Sequence, residues 1–132
     1  MKEGTIESNA ANYKALANYW HQAKELDPAI DTLAKSYKLA PNAELQLKMA
    51  RMMIQSKRYQ DLVALAAKPA ANANGEQRAD LKFLTGVAYF EQQKPKEALS
   101  AFTQAAQNGN VSGRASPWIN FLKEQGGGAV TQ

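Results

Sequence analysis

The sequence predicts an all-α fold, a solenoid of helical hairpins closed by one more helix, and three observations carry that prediction. Apolar residues recur at helical spacing throughout, about every 3.6 residues. Prolines fall at turns or helix ends. A small or apolar landmark returns at Ala29, Leu62 and Ala98, 33 and then 36 residues apart. A landmark that returns at such spacing marks a repeat whose stacked copies bury one continuous core.

The elements follow in order. Tyr13, Leu16, Ala17, Trp20 and Ala23 define one face of a first helix. Asp27 and Pro28 then suit an N-cap and a first helical position, and Ala29, Ile30, Leu33, Tyr37 and Ala40 form the buried side of a second helix that Pro41 stops. Asn42 is placed to cap the next. The pattern repeats over Glu44 to Ser56 and Arg58 to Lys68. After the turn-rich stretch PAANANGEQ it repeats again over Asp80 to Gln93 and Pro95 to Gln107. Ser116 and Pro117 open a short helix with Trp118, Ile119, Phe121 and Leu122, which covers the last apolar face as a solenoid requires. GGGAVTQ is expected to end it as a flexible tail. The expected organisation is one domain over 1–125, with repeats at about 10–42, 43–78 and 79–112, a cap helix at 116–125 and a tail at 126–132.

These residues resemble the tetratricopeptide consensus. YKALANYWHQAKELDPAIDTLAKSYKLAP sets Leu16, Ala17, Trp20, Ala29, Ile30, Leu33 and Pro41 in the family's slots, and LKFLTGVAYFEQQKPKEALSAFTQAA does the same with Gly86, Tyr89, Ala98, Phe102 and Ala105. The second repeat keeps Ala50, Tyr59, Leu62 and Ala66. The resemblance implies a right-handed solenoid of three repeats plus a C-terminal capping helix, acting as a protein-protein interaction scaffold. A narrower resemblance joins ESNAANYKALANYWHQAKELDPAI and SPWINFLKEQ to the tetratricopeptide protein that accompanies TonB, ExbB and ExbD. It implies a fragment of a longer exported protein, a periplasmic adaptor for TonB-dependent transport. Without it, the expected location is cytoplasmic.

Composition fits this class. The 132 residues, 45% hydrophobic and 21% charged, suffice for one domain with a core. With no cysteine there is no disulfide, thiolate metal site or cysteine nucleophile. The single histidine, His21, cannot make an HExxH site, and with Glu25 it reads as an exposed helix pair. The glycines of GGGAVTQ lack the lysine and following helix of a phosphate cradle, and no carboxylates form an acid-base pair. The chain therefore reads as non-catalytic, with no cofactor and no metal, and its start has no apolar signal core. No run is long and apolar enough to insert in a membrane.

The net charge of +4 is concentrated in Lys48, Arg51, Lys57 and Arg58, within an acid-free stretch from Leu45 to Gln60. That stretch fits a docking patch or an ordinary solvated surface. Nucleic-acid binding through it is the alternative function, although a strong basic excess and interleaved aromatics are missing. A purely structural, self-associating segment is a third reading. Family geometry puts the first helix of each hairpin on a concave groove, which implies a protein or peptide partner at Lys14, Asn18, His21 and Gln22, then Lys48, Arg51 and Gln55, then Phe83, Val87 and Phe90. Phe83 and Phe90 also suit packing beneath the closing helix.

Overall fold

The computed structural model describes the backbone of residues 10–131 and the side chains of residues 12–125. Seven helices form, and there is no strand among the described residues: α1 (Ala10–Gln22), α2 (Leu26–Leu39), α3 (Ala43–Gln55), α4 (Tyr59–Ala66), α5 (Gly75–Glu91), α6 (Pro95–Ala105) and α7 (Gly109–Thr131). The first six pair as three hairpins. Each second helix packs on the first helix of the next hairpin, and α7 closes over α5 and α6. The landmarks Ala29, Leu62 and Ala98 are all wholly buried, so the repeat register read from the sequence is the packing register.

The three hairpin turns are built alike. Lys24, Lys57 and Gln93 take left-handed backbone at φ 64°, 63° and 62°, and their N–H groups donate to the carbonyls of His21, Ile54 and Phe90. The next N–H groups, of Glu25, Arg58 and Lys94, reach back to Trp20, Met53 and Tyr89 at 2.8, 2.8 and 2.9 Å. This pairing closes a helix C-terminus by satisfying its orphan carbonyls, and it normally places glycine at the left-handed residue. A side chain there costs about 1 kcal/mol. Lys57→Gly should therefore raise the melting temperature by a few degrees, since the relief of strain exceeds glycine's entropic penalty. An unchanged or lower melting temperature would contradict the turn geometry.

Several boundaries differ from the sequence reading. α2 begins at Leu26, with Glu25 at the N-cap position, so Asp27 lies inside the first turn rather than capping it. Its carboxylate is recruited by Arg58 instead. Ala40 is exposed and Ser36 takes the buried slot. Asn42 does cap α3, accepting from the Leu45 N–H at 2.9 Å. α5 starts at Gly75, five residues before Asp80, because Asn74 and Gln77 form a reciprocal capping box.

The largest correction concerns α7, which starts at Gly109 rather than Ser116. Asn108 turns the chain: its carbonyl accepts from Val111 and Ser112, and its side chain accepts from the Asn110 N–H. Pro117 lies within the helix. It removes a donor from the turn that begins at Gly113, yet both residues are exposed, so the freed carbonyl faces water. The buried Val111, Ala115 and Leu122 hold the two sides of the proline in one line. The backbone continues as helix past Gln125 to Thr131, and the side chains of the expected tail, 126–132, lie outside those described.

α7 stands 34 positions after α5, one repeat on. Two contacts respect that offset: Arg114 pairs with Asp80, and Asn110 donates to Glu76 at 3.0 Å. Under α7 lies an aromatic stack. Phe102 is wholly buried, with Trp118 parallel to it at 4.9 Å and Phe83 edge-on at 5.5 Å. Gly86 makes room for this stack, because a Cβ there would come within 2.8 Å of the Phe102 ring.

Candidate partner-binding face

The first helices α1, α3 and α5 bring part of the expected groove together. Lys48, on α3, donates to Asn18 of α1 at 2.9 Å across the junction. Lys14 and Lys48 line one open polar cleft of about 450 Å³, floored by Leu45 and edged by Asn42, Glu44 and Asn72. Arg51 stands one turn further along α3, exposed. His21, Gln22 and Gln55 are also exposed, at the C-terminal ends of α1 and α3.

The apolar members of the expected set sit differently. Phe83 is partly buried against Phe102 and covered by the Arg114 guanidinium, 5.2 Å from its ring centre. Val87 and Phe90 are also partly buried in the cluster under α7. Phe83 and Val87 are therefore packing residues, fixed there because the closing helix is longer than the sequence suggested. Phe90 keeps an open edge. It contacts Trp118 at 5.2 Å and Phe121 at 6.0 Å, and with Phe121, Pro95 and Leu122 it floors a cleft of about 580 Å³ edged by Glu91 and Gln125.

Phe121, beside Phe90 and 45% exposed, is not among the residues that the sequence suggests for the groove. The sequence does carry a signal for it, since it stands 34 positions after Val87, one repeat on.

The basic stretch does not act as one surface. Arg58 turns away from Lys48 and Arg51 to bind Asp31 and Asp61, each at 2.9 Å, with Asp27 at 3.6 Å. Partial burial lowers its proton affinity, but the hydrogen bonds it donates to Asp61 and Asp31 more than offset that and hold the guanidinium above its ordinary pKa. Arg58 is thus a clasp between hairpins. Burial likewise raises the Tyr37 phenol. Among the described residues, no group of three or more His, Asp or Glu is close enough to hold a metal ion, and no helix is long and apolar enough to cross a membrane.

No family model matches the chain, and no curated protein matches it. It is similar to the solved structure titled MamA MSR-1 C2, with a TM-score of 0.70 and 24% identity over 89% of this chain and 67% of that one. That likeness establishes the fold as a helical solenoid of the tetratricopeptide type.

Proposed function

We propose that the chain is a non-catalytic scaffold that holds a segment of a partner protein along the faces of α1, α3, α5 and α7. The observation that carries this reading is that Lys14 and Lys48 line one open cleft, Lys48 being held to Asn18 of α1, with the exposed Arg51 further along α3. Exposed cations at such a face favour an acidic segment and act mainly on its association rate and salt dependence. The cleft at Phe90 and Phe121 adds a place for an apolar side chain of the same segment. A nucleic acid is the weaker fit, because a phosphate backbone needs a continuous run of cations and Arg58 is committed to carboxylates elsewhere.

The test is affinity capture from an envelope extract on the immobilised chain, followed by affinity measurement for the captured protein. Lys48→Glu combined with Arg51→Glu should weaken binding about tenfold and flatten its salt dependence, with helical content and melting temperature nearly unchanged. Equal capture and equal affinity for both forms would sink the reading. A finer reading, a periplasmic adaptor for TonB-dependent transport, rests on the resemblance of residues 7–30 and 116–125 alone. TonB, ExbB or ExbD among the captured proteins would support it, and their absence would remove it.

A further inference from the structure

We propose that the outer side of the first hairpin is a second docking surface, separate from the groove, which takes an amphipathic helix of a partner protein carrying carboxylates on its flank. The repeat register is the first ground. Leu16, Met49 and Thr85 are equivalent under the offsets of 33 and 36 that relate Ala29, Leu62 and Ala98, and so are Tyr19, Met52 and Ala88. In the second and third hairpins these positions are closed: Met49 is 2% exposed, Thr85 7%, Met52 3% and Ala88 0%. There, α2 packs on α3 and α4 packs on α5. In the first hairpin the same positions are open, with Leu16 46% and Tyr19 63% exposed. Burial at the two inner junctions comes from a helix laid across these positions, so the occupant that fits the outer one is also a helix.

Charge is the second ground. On α1, Asn18 marks the side turned to α3, and helical spacing puts Leu16 and Tyr19 on the other side. On α2, Asp27 and Asp31 are drawn toward the next hairpin by Arg58. Toward the far end of α2, Leu39 is 55% exposed, and the Lys35 ammonium lies 5.8 Å from the ring centre of Tyr13, one turn before Leu16 on α1. Three of the four exposed large hydrophobics among the described residues thus belong to the first hairpin, where Lys35 stands at Tyr13 while Asp27 and Asp31 are engaged by Arg58. That pattern fits an apolar ridge flanked by Asp or Glu.

A second copy of the chain fits less well. Among the described residues of α7, Gly113, Asn120 and Glu124 are exposed and none carries an apolar side chain, so head-to-tail stacking on them offers Leu16 and Tyr19 no apolar counterpart. Pairing two first hairpins face to face would oppose like cations.

The test uses the full chain and two synthetic 16-residue helical peptides with the same Leu and Ala ridge, one flanked by Glu and the other by Lys, followed by fluorescence anisotropy. The Glu peptide should bind at least tenfold more tightly at low salt. The double substitution Leu16→Ser with Tyr19→Ser should lose that binding at least tenfold without lowering the melting temperature, because both side chains are exposed. Leu39→Ser gives an independent variant on the other helix. Lys48→Glu with Arg51→Glu should leave this binding intact, which separates it from the groove. Equal affinity for both peptides, or none, overturns the proposal. So does sedimentation showing self-association that depends on Leu16 and Tyr19, or co-sedimentation with phosphatidylglycerol vesicles without peptide binding.

Discussion

Ala98→Asp should lower the melting temperature by more than 10 °C or prevent folding of the chain altogether. Ala98 is wholly buried at the contact of α6 with α5, in the cluster that contains Phe102, Ala115 and Leu122. No cation belongs to that cluster, so the new carboxylate would be buried without a counter-ion. Such a charge costs several kcal/mol, against a total stability of roughly 5–15 kcal/mol for a domain. The sign of the pH dependence separates charge from bulk. Burial raises the folded-state pKa of the introduced Asp above its unfolded value of about 3.9. The charge penalty is therefore absent below that value, grows as pH rises through the interval between the two pKa values, and is constant above it. Melting curves by circular dichroism at pH 4 and pH 7 should show the larger deficit at pH 7. Equal melting temperatures for the variant and the parent at pH 7 would refute the repeat register.

Gln46→Leu should cost about 2–4 kcal/mol, although it adds apolar surface to a buried position. Gln46 is 1% exposed, and its amide is fully used. Nε2 donates to the Leu65 and Lys68 carbonyls at 3.0 Å each, and Oε1 accepts from the Ala70 N–H at 2.9 Å. These three backbone groups lie where α4 stops early and the chain crosses to α5. Asn72 fastens the same crossing by accepting from the Ala43 N–H at 2.9 Å. Leucine matches the volume and none of the bonds, which leaves the part-buried Leu65 and Lys68 carbonyls and the buried Ala70 N–H without their partner. Hydrogen exchange at Ala70 should accelerate in the variant, together with a lower melting temperature. Unchanged exchange there would show that the crossing is held by something else.

Gln46 also shows where sequence reasoning runs out. A lone glutamine amid Leu45, Leu47 and Met49 carries no periodic signal, and its partners are 19 to 24 positions away. The degenerate second repeat could be recognised from Ala50, Tyr59 and Leu62, whereas the means of stabilising its shortened helix could not. The opposite holds for α5: Asn74 and Gln77 carry a capping-box signature that the stretch PAANANGEQ hid among turn residues. Pro117 misled in the same way, because a proline inside a helix is tolerated only when packing on both sides supports it. Ala115 and Trp118 supply that packing.

By itself the sequence determined the helical class, the number of hairpins, their register and the residues that lock them, including Ala29, Leu62, Ala98 and Gly86. Those features are set by local periodicity and by side-chain size at close helix contacts, and both are written along the chain. Only the tertiary structure decided which expected groove residues remain available. Lys14 and Lys48 meet across a junction that a Lys48–Asn18 bond ties, Phe83 and Val87 are partly buried against the cluster under α7, Arg58 is diverted to Asp31 and Asp61, and Phe121 emerges beside Phe90. The reason is physical. Whether a side chain is open to a partner depends on which helix lies across it, and that is fixed by the length and crossing of α7 and by ion pairs between residues about 30 positions apart.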